Sequence, residues 1–403
     1  EIKECDWSSD VCSSDLLWVD RGPTSDYKGH VYDSWTTFGG SNDSQIGISV
    51  STDNGVNWSS PQHISSGVNA GSHNQGVNIK CGPEGQVYVT WAIYDSWPSD
   101  EKAIGFAKSD DGGVTFQPAY RIINNIKGIR TSEVTPNHRV NSFPSMAVDL
   151  SNGPNRGAIY VVWANKGVPG VNQGPGSDLY VIKSTDEGVT WSTPVKINTD
   201  TPGLGKDHYF GWIACDQANG MLSVVSYDNR NVDNNKTETW LAYSSDGGTT
   251  WTDMKVSDVS MTPSPIPGLA GGYMGDYLGI DAYNGKAYPT WADNRSGQVM
   301  TYVSPIDLII PAPNLVHDAH LVNDTAFGNG DGMMSYGDTV LLGLKIKNIG
   351  TLDADNVVVD LETDSPYITF TDTTEQYGAI AQGASKTILA GYTFAVAQDV
   401  PNN

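Results

Sequence analysis

The chain has 403 residues, 38 % of them hydrophobic and 10 % aromatic, with 44 glycines, 21 prolines and a formal net charge of −23. That is enough apolar content for two or three ordinary cores, so the chain is no disordered tail. The acidic balance excludes nucleic acid and an anionic membrane surface as partners, since binding either needs clustered cations, and no run of about 18 apolar residues is present to span a membrane.

The first residues read as foreign to the rest. Ser8 to Leu16 is a near-duplication, Ser-Ser-Asp-Val-Cys-Ser-Ser-Asp-Leu, unlike anything downstream. It resembles translated sequencing-adapter sequence, so residues 1–16 are set aside as a non-native or artefactual segment. From residue 17 strand-like segments recur in the same order. Leu17 to Asp20, His30 to Trp35 and Gln45 to Val50 form a first unit. A second has Val77 to Lys80, Val87 to Trp91 and Ala103 to Ala107; a third has Ser145 to Val148, Ile159 to Trp163 and Leu179 to Ile182. The fourth uses Trp212 to Cys215, Leu222 to Val225 and Thr239 to Tyr243, and a short fifth Tyr277 to Ile280, Ala287 to Trp291 and Val299 to Val303. No period-3.6 stripe demands a helix, and all-β is the natural class.

Four of the five units end in one pattern, Ser-x-Asp-x-Gly-x-(Thr/Asn)-aromatic. Its copies are Ser51, Asp53, Gly55 and Trp58; Ser109, Asp111, Gly113 and Phe116; Ser184, Asp186, Gly188 and Trp191; and Ser244, Asp246, Gly248 and Trp251. They start roughly 60 to 75 residues apart, a spacing that suits one small antiparallel sheet per copy in a radial array. The chemistry is that of a hairpin clasp: hydroxyl and carboxylate accept turn N–H groups, glycine supplies the positive φ, and the aromatic packs beneath.

On these residues the chain resembles the Asp-box, or bacterial neuraminidase repeat, family of β-propellers, whose best-known members are sialidases. The resemblance implies a propeller over residues 17–306. Sialidase propellers have six blades, so it also implies a sixth blade, or ring-closing strands, upstream of Leu17. In that family the box is structural, so its four Asp residues are turn residues. The activity implied is that of a secreted exo-acting glycoside hydrolase on sialic acid or a related terminal sugar. Its rival is a non-catalytic propeller that binds glycan or protein at the cell surface. A glycan or glycoconjugate is the expected partner and secretion or the cell surface the expected location. No cofactor is expected.

Residues 307–313, with two prolines, read as a linker. After it Val340, Leu342, Leu344 and Ile346 alternate with polar residues, as do Val357, Val359 and Leu361. Residues 314–403 therefore read as a small β-sandwich, similar to the immunoglobulin-like accessory modules of secreted bacterial proteins. Asn329-Gly-Asp331-Gly332 lacks the evenly spaced acids of a calcium loop, reads as a plain turn, and gives a structural calcium ion no positive support. Cys81 and Cys215 fall in different units and are read as unpaired core thiols.

Propeller topology puts the boxes on one face, and on the other the loops entering each first strand and joining the second to the third. On that second face fall His73, Arg130, His138, Arg139, Asp207, His208, Tyr209, Asp228, Arg230, Asp276, Tyr277, Asp293 and Arg295. The resemblance implies an arginine triad clamping a sugar carboxylate, a Tyr–Glu nucleophile pair and an Asp acid/base. The family's Phe/Tyr-Arg-Ile-Pro stretch has no counterpart, since Tyr120-Arg-Ile-Ile123 lacks the proline, and no catalytic residue is carried over as a match. Read by themselves, Asp207, Tyr209, Asp276 and Tyr277 put acids and phenols at inner-strand starts and are the catalytic candidates, with loop-anchoring as the plainer role. Arg130, Arg139, Arg230, Arg295 and His208 are the substrate-binding candidates. Asp228-Asn-Arg230 and Asp293-Asn-Arg295 recur at one place in two units, as Asp–Arg turn braces would. The histidines share no metal-ligand spacing, and no metal is expected.

Overall fold

A computed structural model describes residues 11–39, 44–68, 72–98, 101–130, 133–136, 138–201, 203–267, 272–308 and 312–400. The described residues form strands and turns, with no helix. Contacts divide the chain into two units that meet between Leu308 and Ile309. Of the segment set aside at the start, residues 1–10 lie outside the described residues, as do 309–311 of the linker.

In the first unit each sheet is built from one continuous stretch of chain. Strands β1 (Val11–Val19), β2 (Val31–Phe38), β3 (Ile46–Ser51) and β4 (Gln62–His63) pair antiparallel in that order. So do β5 (His73–Cys81), β6 (Val87–Tyr94), β7 (Ala103–Ser109) and β8 (Tyr120–Ile123). The third sheet is β9 (Ser145–Val148), β10 (Ile159–Lys166), β11 (Ser177–Ser184) and β12 (Val195–Lys196). The fourth is β13 (His208–Cys215), β14 (Leu222–Asp228), β15 (Glu238–Ser244) and β16 (Thr252–Lys255). In the fifth, β17 (Gly279–Tyr283) pairs with β18 (Lys286–Asp293), whose other edge meets both β19 (Met300–Val303) and β20 (Ile306–Asp307) as one interrupted strand. The first strands of successive sheets touch in chain order, β1 to β5 to β9 to β13 to β17. Trp18, Lys80, Val148, Ile213 and Ile280, one from each of them, line a common cavity. Four-stranded antiparallel sheets set around an axis in chain order are the blades of a propeller.

The cores lie between blades. Tyr32, Ile46 and Ile48 pack with Val89 and Trp91 of the next sheet; Tyr88, Ile104 and Phe106 pack with Met146, Ile159 and Val161; and Tyr160, Val162 and Leu179 pack with Tyr209, Ile213 and Val224. A middle blade is thus covered on both faces, which is why Val87 to Tyr94, apolar but for Thr90, and Ile159 to Trp163 are buried throughout. Trp91 and Trp163, at most 1 % exposed, each contribute roughly 2–3 kcal/mol by leaving water.

The four Ser-x-Asp-x-Gly turns close as hydrogen-bonded clasps with the same bonds each time. In the third, Ser184 Oγ donates to Asp186 Oδ1 at 2.8 Å and accepts from Gly188 N at 2.8 Å, and Thr190 N donates to Asp186 Oδ1 at 2.9 Å. Trp58, Trp191 and Trp251 each donate their indole N–H to the glycine carbonyl of their own turn. The Thr190 hydroxyl and amide hold the Asp186 carboxyl down to about 2. The carboxylates are occupied by the turn, with none left for chemistry.

In the second unit β21 (Leu315–Asn323), β22 (Thr339–Asn348), β26 (Ser385–Val396) and β24 (Ile368–Asp372) pair in that spatial order, and β23 (Ala354–Asp360) pairs with β25 (Thr374–Ile380). Leu344, Ile346 and Tyr392 from the first sheet share a core with Ala354, Val357, Tyr377 and Ile380 from the second. Two phenols tie the sheets, Tyr377 donating to Leu344 O at 3.0 Å and Tyr392 to Val359 O at 3.2 Å. In the turn at Asn329 to Gly332 three backbone N–H groups, of Gly330, Asp331 and Gly332, donate to the Asp324 carboxylate. Donors pointing inward make a carboxylate clasp, the reverse of a cation loop.

Candidate active site

The inner strands begin earlier than their alternation predicts. Strand β5 starts at His73 and β13 at His208, and each carries an irregularity, between Gln75 and Asn78 and between Tyr209 and Trp212. Gly76 sits at φ 73° and Phe210 at φ 55°, the left-handed conformation of a bulge residue. At Gly76 any Cβ would lie 2.2 Å from the Phe143 ring, so the bulge requires glycine. These bulges extend the strands toward the face opposite the clasps.

On that face Arg130 and Arg139 both come within electrostatic reach of Asp276. Burial pushes the Asp276 carboxyl above the usual carboxylate range, and Arg139, Asn141 and Arg130 pull it partly back. Asn141 Nδ2 donates to Asp276 Oδ1 at 2.9 Å and to Asp276 O at 3.2 Å, and the Tyr273 hydroxyl donates to Oδ2. The Arg139 guanidinium lies over the Tyr273 ring at 4.6 Å, and that of Arg130 over Trp97 at 5.0 Å. Neither arginine forms an ion pair among the described residues, and Arg130 Nη1, although buried, has no hydrogen-bond partner. Beneath them Glu101, 1 % exposed, accepts from the Tyr94 hydroxyl and, at 2.7 Å, from Ser142 N. Burial pushes the Glu101 carboxyl up to about 7 against the Tyr94 bond and Arg130.

The other candidates are placed differently. Asp207, 1 % exposed, accepts from Thr135 N at 2.7 Å, from the Thr135 hydroxyl at 2.8 Å and from the Ser177 hydroxyl at 3.2 Å, which makes it a loop anchor. Tyr209 is fully buried, its hydroxyl 3.0 Å from His138 Nε2, and burial pushes the phenol well up and His138 down to about 4. Neither Asp207 nor Tyr209 can meet a substrate. Tyr277 is 46 % exposed with its ring 4.9 Å from that of Trp212, beside Asp276 at the axis.

Arg230 and Arg295 are turn braces rather than clamps. Arg230 N and Nε donate to Asp228 at 2.7 and 2.6 Å, and Arg295 N and Nε to Asp293 at 2.8 and 2.9 Å. Arg230 also pairs with Asp253 at 2.6 Å, and Arg295 with Asp258. A guanidinium whose donors already meet carboxylates has little left for a ligand.

His208, 1 % exposed, is likewise structural. Its Nδ1 meets Ser177 O at 2.8 Å, and its Nε2 lies 3.3 Å from Asp228 and 3.6 Å from Asp200. Burial alone would lower its pKa, but the Asp228 and Asp200 carboxylates outweigh burial and hold it above the ordinary value. Asp178, Asp200 and His208 bring ligand atoms within 4.8 Å of one another. That space is filled by the Lys196 ammonium, 3.1 Å from Asp178 and 3.4 Å from Asp200, and by the Asn198 amide, 2.7 Å from Asp178.

Sequence reasoning missed Tyr94, Glu101, Trp97, Asn141 and Tyr273. A signal existed for the first three, since the long connection from Tyr94 to Glu101 ends in an acid just before an apolar strand. None marked Asn141 or Tyr273.

No protein-family model and no characterised relative matches the sequence. Among solved structures, a protein of unknown function from Dyadobacter fermentans aligns over 96 % of this chain and 100 % of its own at 12 % identity and TM-score 0.42. The GH93 α-L-arabinofuranosidase of Fusarium graminearum, bound to arabinobiose, aligns over 84 % and 88 % at 13 % identity and TM-score 0.44. The intramolecular trans-sialidase of Ruminococcus gnavus, bound to oseltamivir carboxylate, aligns over 84 % and 90 % at 10 % identity and TM-score 0.40. The class of protein rests on the chain's own strand order: an all-β propeller of four-stranded antiparallel blades, followed by a separate β unit.

Proposed function

We propose that the chain is a secreted, exo-acting glycoside hydrolase of sialidase type, acting on terminal sialic acid or a related acidic sugar. The observation that carries this reading is the pair of arginines without ion pairs, Arg130 and Arg139, beside a carboxyl pushed upward, Asp276. In a chain of net charge −23, two guanidinium groups that form no ion pair among the described residues are fitted to receive a carboxylate from a ligand by bidentate bonds. A carboxyl whose pKa burial raises is suited to donate a proton to a glycosidic oxygen as the bond breaks. Tyr277, exposed next to that acid, supplies an aromatic face or a phenol oxygen to the sugar ring. The C-terminal unit fits the role of an accessory module, and a cell-surface or extracellular location fits a glycan substrate.

The test is release of fluorophore from a fluorogenic sialoside, with Arg139→Ala and Asp276→Asn beside the parent protein. Hydrolysis that falls by about 100-fold or more in both variants supports the reading. A folded parent protein with no hydrolysis overturns it.

One observation favours a second reading, a propeller that binds a glycan without cleaving it. The Tyr94–Glu101 pair, a phenol and an acid in contact, is buried beneath the face, and the two remaining arginines, Arg230 and Arg295, are held by carboxylates. Saturable sialoside binding without turnover, lost in Arg139→Ala, would establish this second reading.

A further inference from the structure

The propeller axis has a second site at its other end, where the inner strands finish and the clasps lie. A cavity of about 380 Å³ opens there, lined by all five inner strands. Its walls are mixed, with Trp18 and Trp212 among the apolar residues and two cations among the polar ones. Lys80, 9 % exposed, holds its ammonium 3.6 Å from the centre of the Trp18 ring, and the Arg21 guanidinium lies 5.0 Å from the same centre. Among the described residues neither makes an ion pair. Among the described residues Lys80 Nζ donates only to neutral acceptors, Ile79 O at 3.2 Å and Asn78 Oδ1 at 3.4 Å. The one carboxylate in the lining, Asp281, accepts from Ala282 N at 2.9 Å.

Asp281 is within electrostatic reach of the Lys80 ammonium but makes no ion pair with it, and a buried ammonium without a contacting counter-ion is costly in a protein with carboxylates to spare for pairing it. That the two cations are left open, over an indole and facing a cavity, points to a charge brought in from outside. We propose that the cavity binds a small organic acid with a flat apolar body, its carboxylate between Lys80 and Arg21 and its body against Trp18 and Trp212. Burial, with Arg21 nearby, holds the Lys80 ammonium down to about 7, so a bound anion would draw a proton onto it. The two cations lie at the opposite end of the inner strands from Arg130, Arg139 and Asp276, while Trp212, in the cavity wall, also meets the Tyr277 ring at 4.9 Å.

Benzoate is the probe and benzamide its uncharged isostere, titrated into the full chain by calorimetry and followed by tryptophan fluorescence. Benzoate is expected to bind one per chain and at least about tenfold more tightly than benzamide. Its affinity is expected to fall about tenfold or more in Lys80→Met and about threefold in Arg21→Gln, and to be unchanged in Arg139→Ala. Proton uptake should accompany binding at about pH 8 and vanish at about pH 6. Arg21 is exposed and, among the described residues, has no hydrogen-bond partner to lose, so its variant reports on binding even where Lys80→Met fails to fold. Absence of benzoate binding, equal affinity for benzamide, or full affinity in Arg21→Gln overturns the proposal. Loss of binding in Arg139→Ala with retention in both cavity variants would assign the anion to the opposite face and overturn it too.

Discussion

Asn141 and Asp276 join the entrance of one inner strand to that of another two blades away, the amide of the first donating at 2.9 Å to the carboxylate of the second. The bond favours the ionised acid, in opposition to burial, and so sets how far the acid's pKa rises. Replacing Asn141 by alanine removes that restraint. If Asp276 serves as the proton donor, the alkaline limb of the pH–rate profile for sialoside hydrolysis should move up by about half to one pH unit, with kcat reduced about tenfold. An unmoved limb would show that Asp276 is not the titrating acid.

Glu101 makes a separate prediction about stability. Folding raises its carboxyl from 4.5 to about 7, so its contribution is fully present below about pH 4.5 and is lost as pH rises through about 7. His208, also raised on folding, loses its contribution on the same side as pH rises past its ordinary value. Glu101→Gln should therefore gain thermal stability relative to the parent as pH rises from about 5 to about 8, since His138 and Lys80, both lowered on folding, contribute the opposite slope equally in the two proteins. Parallel slopes in the two proteins would exclude that contribution from Glu101.

The two Asp–Arg braces differ in burial, and their loss should differ accordingly. The Arg230 side chain is 9 % exposed between Asp228 and Asp253, which are 0 % and 7 % exposed, whereas Asp258, the partner of Arg295, is 79 % exposed. Arg230→Ala strands two buried carboxylates and should cost about 3–5 kcal/mol in urea unfolding. Arg295→Ala strands one and should cost about 1–2 kcal/mol. Equal losses would contradict the burial argument.

Gly188 closes the third clasp at φ 90°, and a Cβ there would lie 2.6 Å from the Phe106 ring of the preceding blade. Backbone strain and overpacking then act together, and Gly188→Ala should cost at least about 2 kcal/mol. Gly55→Ala, where a Cβ would meet nothing nearer than 3.9 Å, carries only the strain and should cost about half as much.

Much of this architecture could be read before any coordinates. Four copies of a clasp, with strands of fixed order between them, specify both blade and face, because a turn motif and a run buried on both sides leave local marks. The Asp–Arg braces were legible for the same reason, since they recur at Asp228 and Asp293. What sequence could not separate was Asp207 from Asp276. Both stand beside an aromatic at the start of an inner strand, yet Thr135 and Ser177 enclose the first while two arginines face the second. Those partners come from distant loops, and nothing local records their arrival. The early starts of β5 and β13 were hidden because a bulge breaks the two-residue alternation on which strand recognition depends.

Because strand order within each of the first four sheets is chain order, nearly every pairing partner lies a short stretch of chain away. Closing such loops costs little entropy, so contact order is low for an all-β protein. A blade can complete its hairpins as soon as its own residues are available and then offer a template face to the next. Folding is then a sequential accretion along the chain, and a defect in one hairpin is expected to stall the blades that follow it more than those already formed.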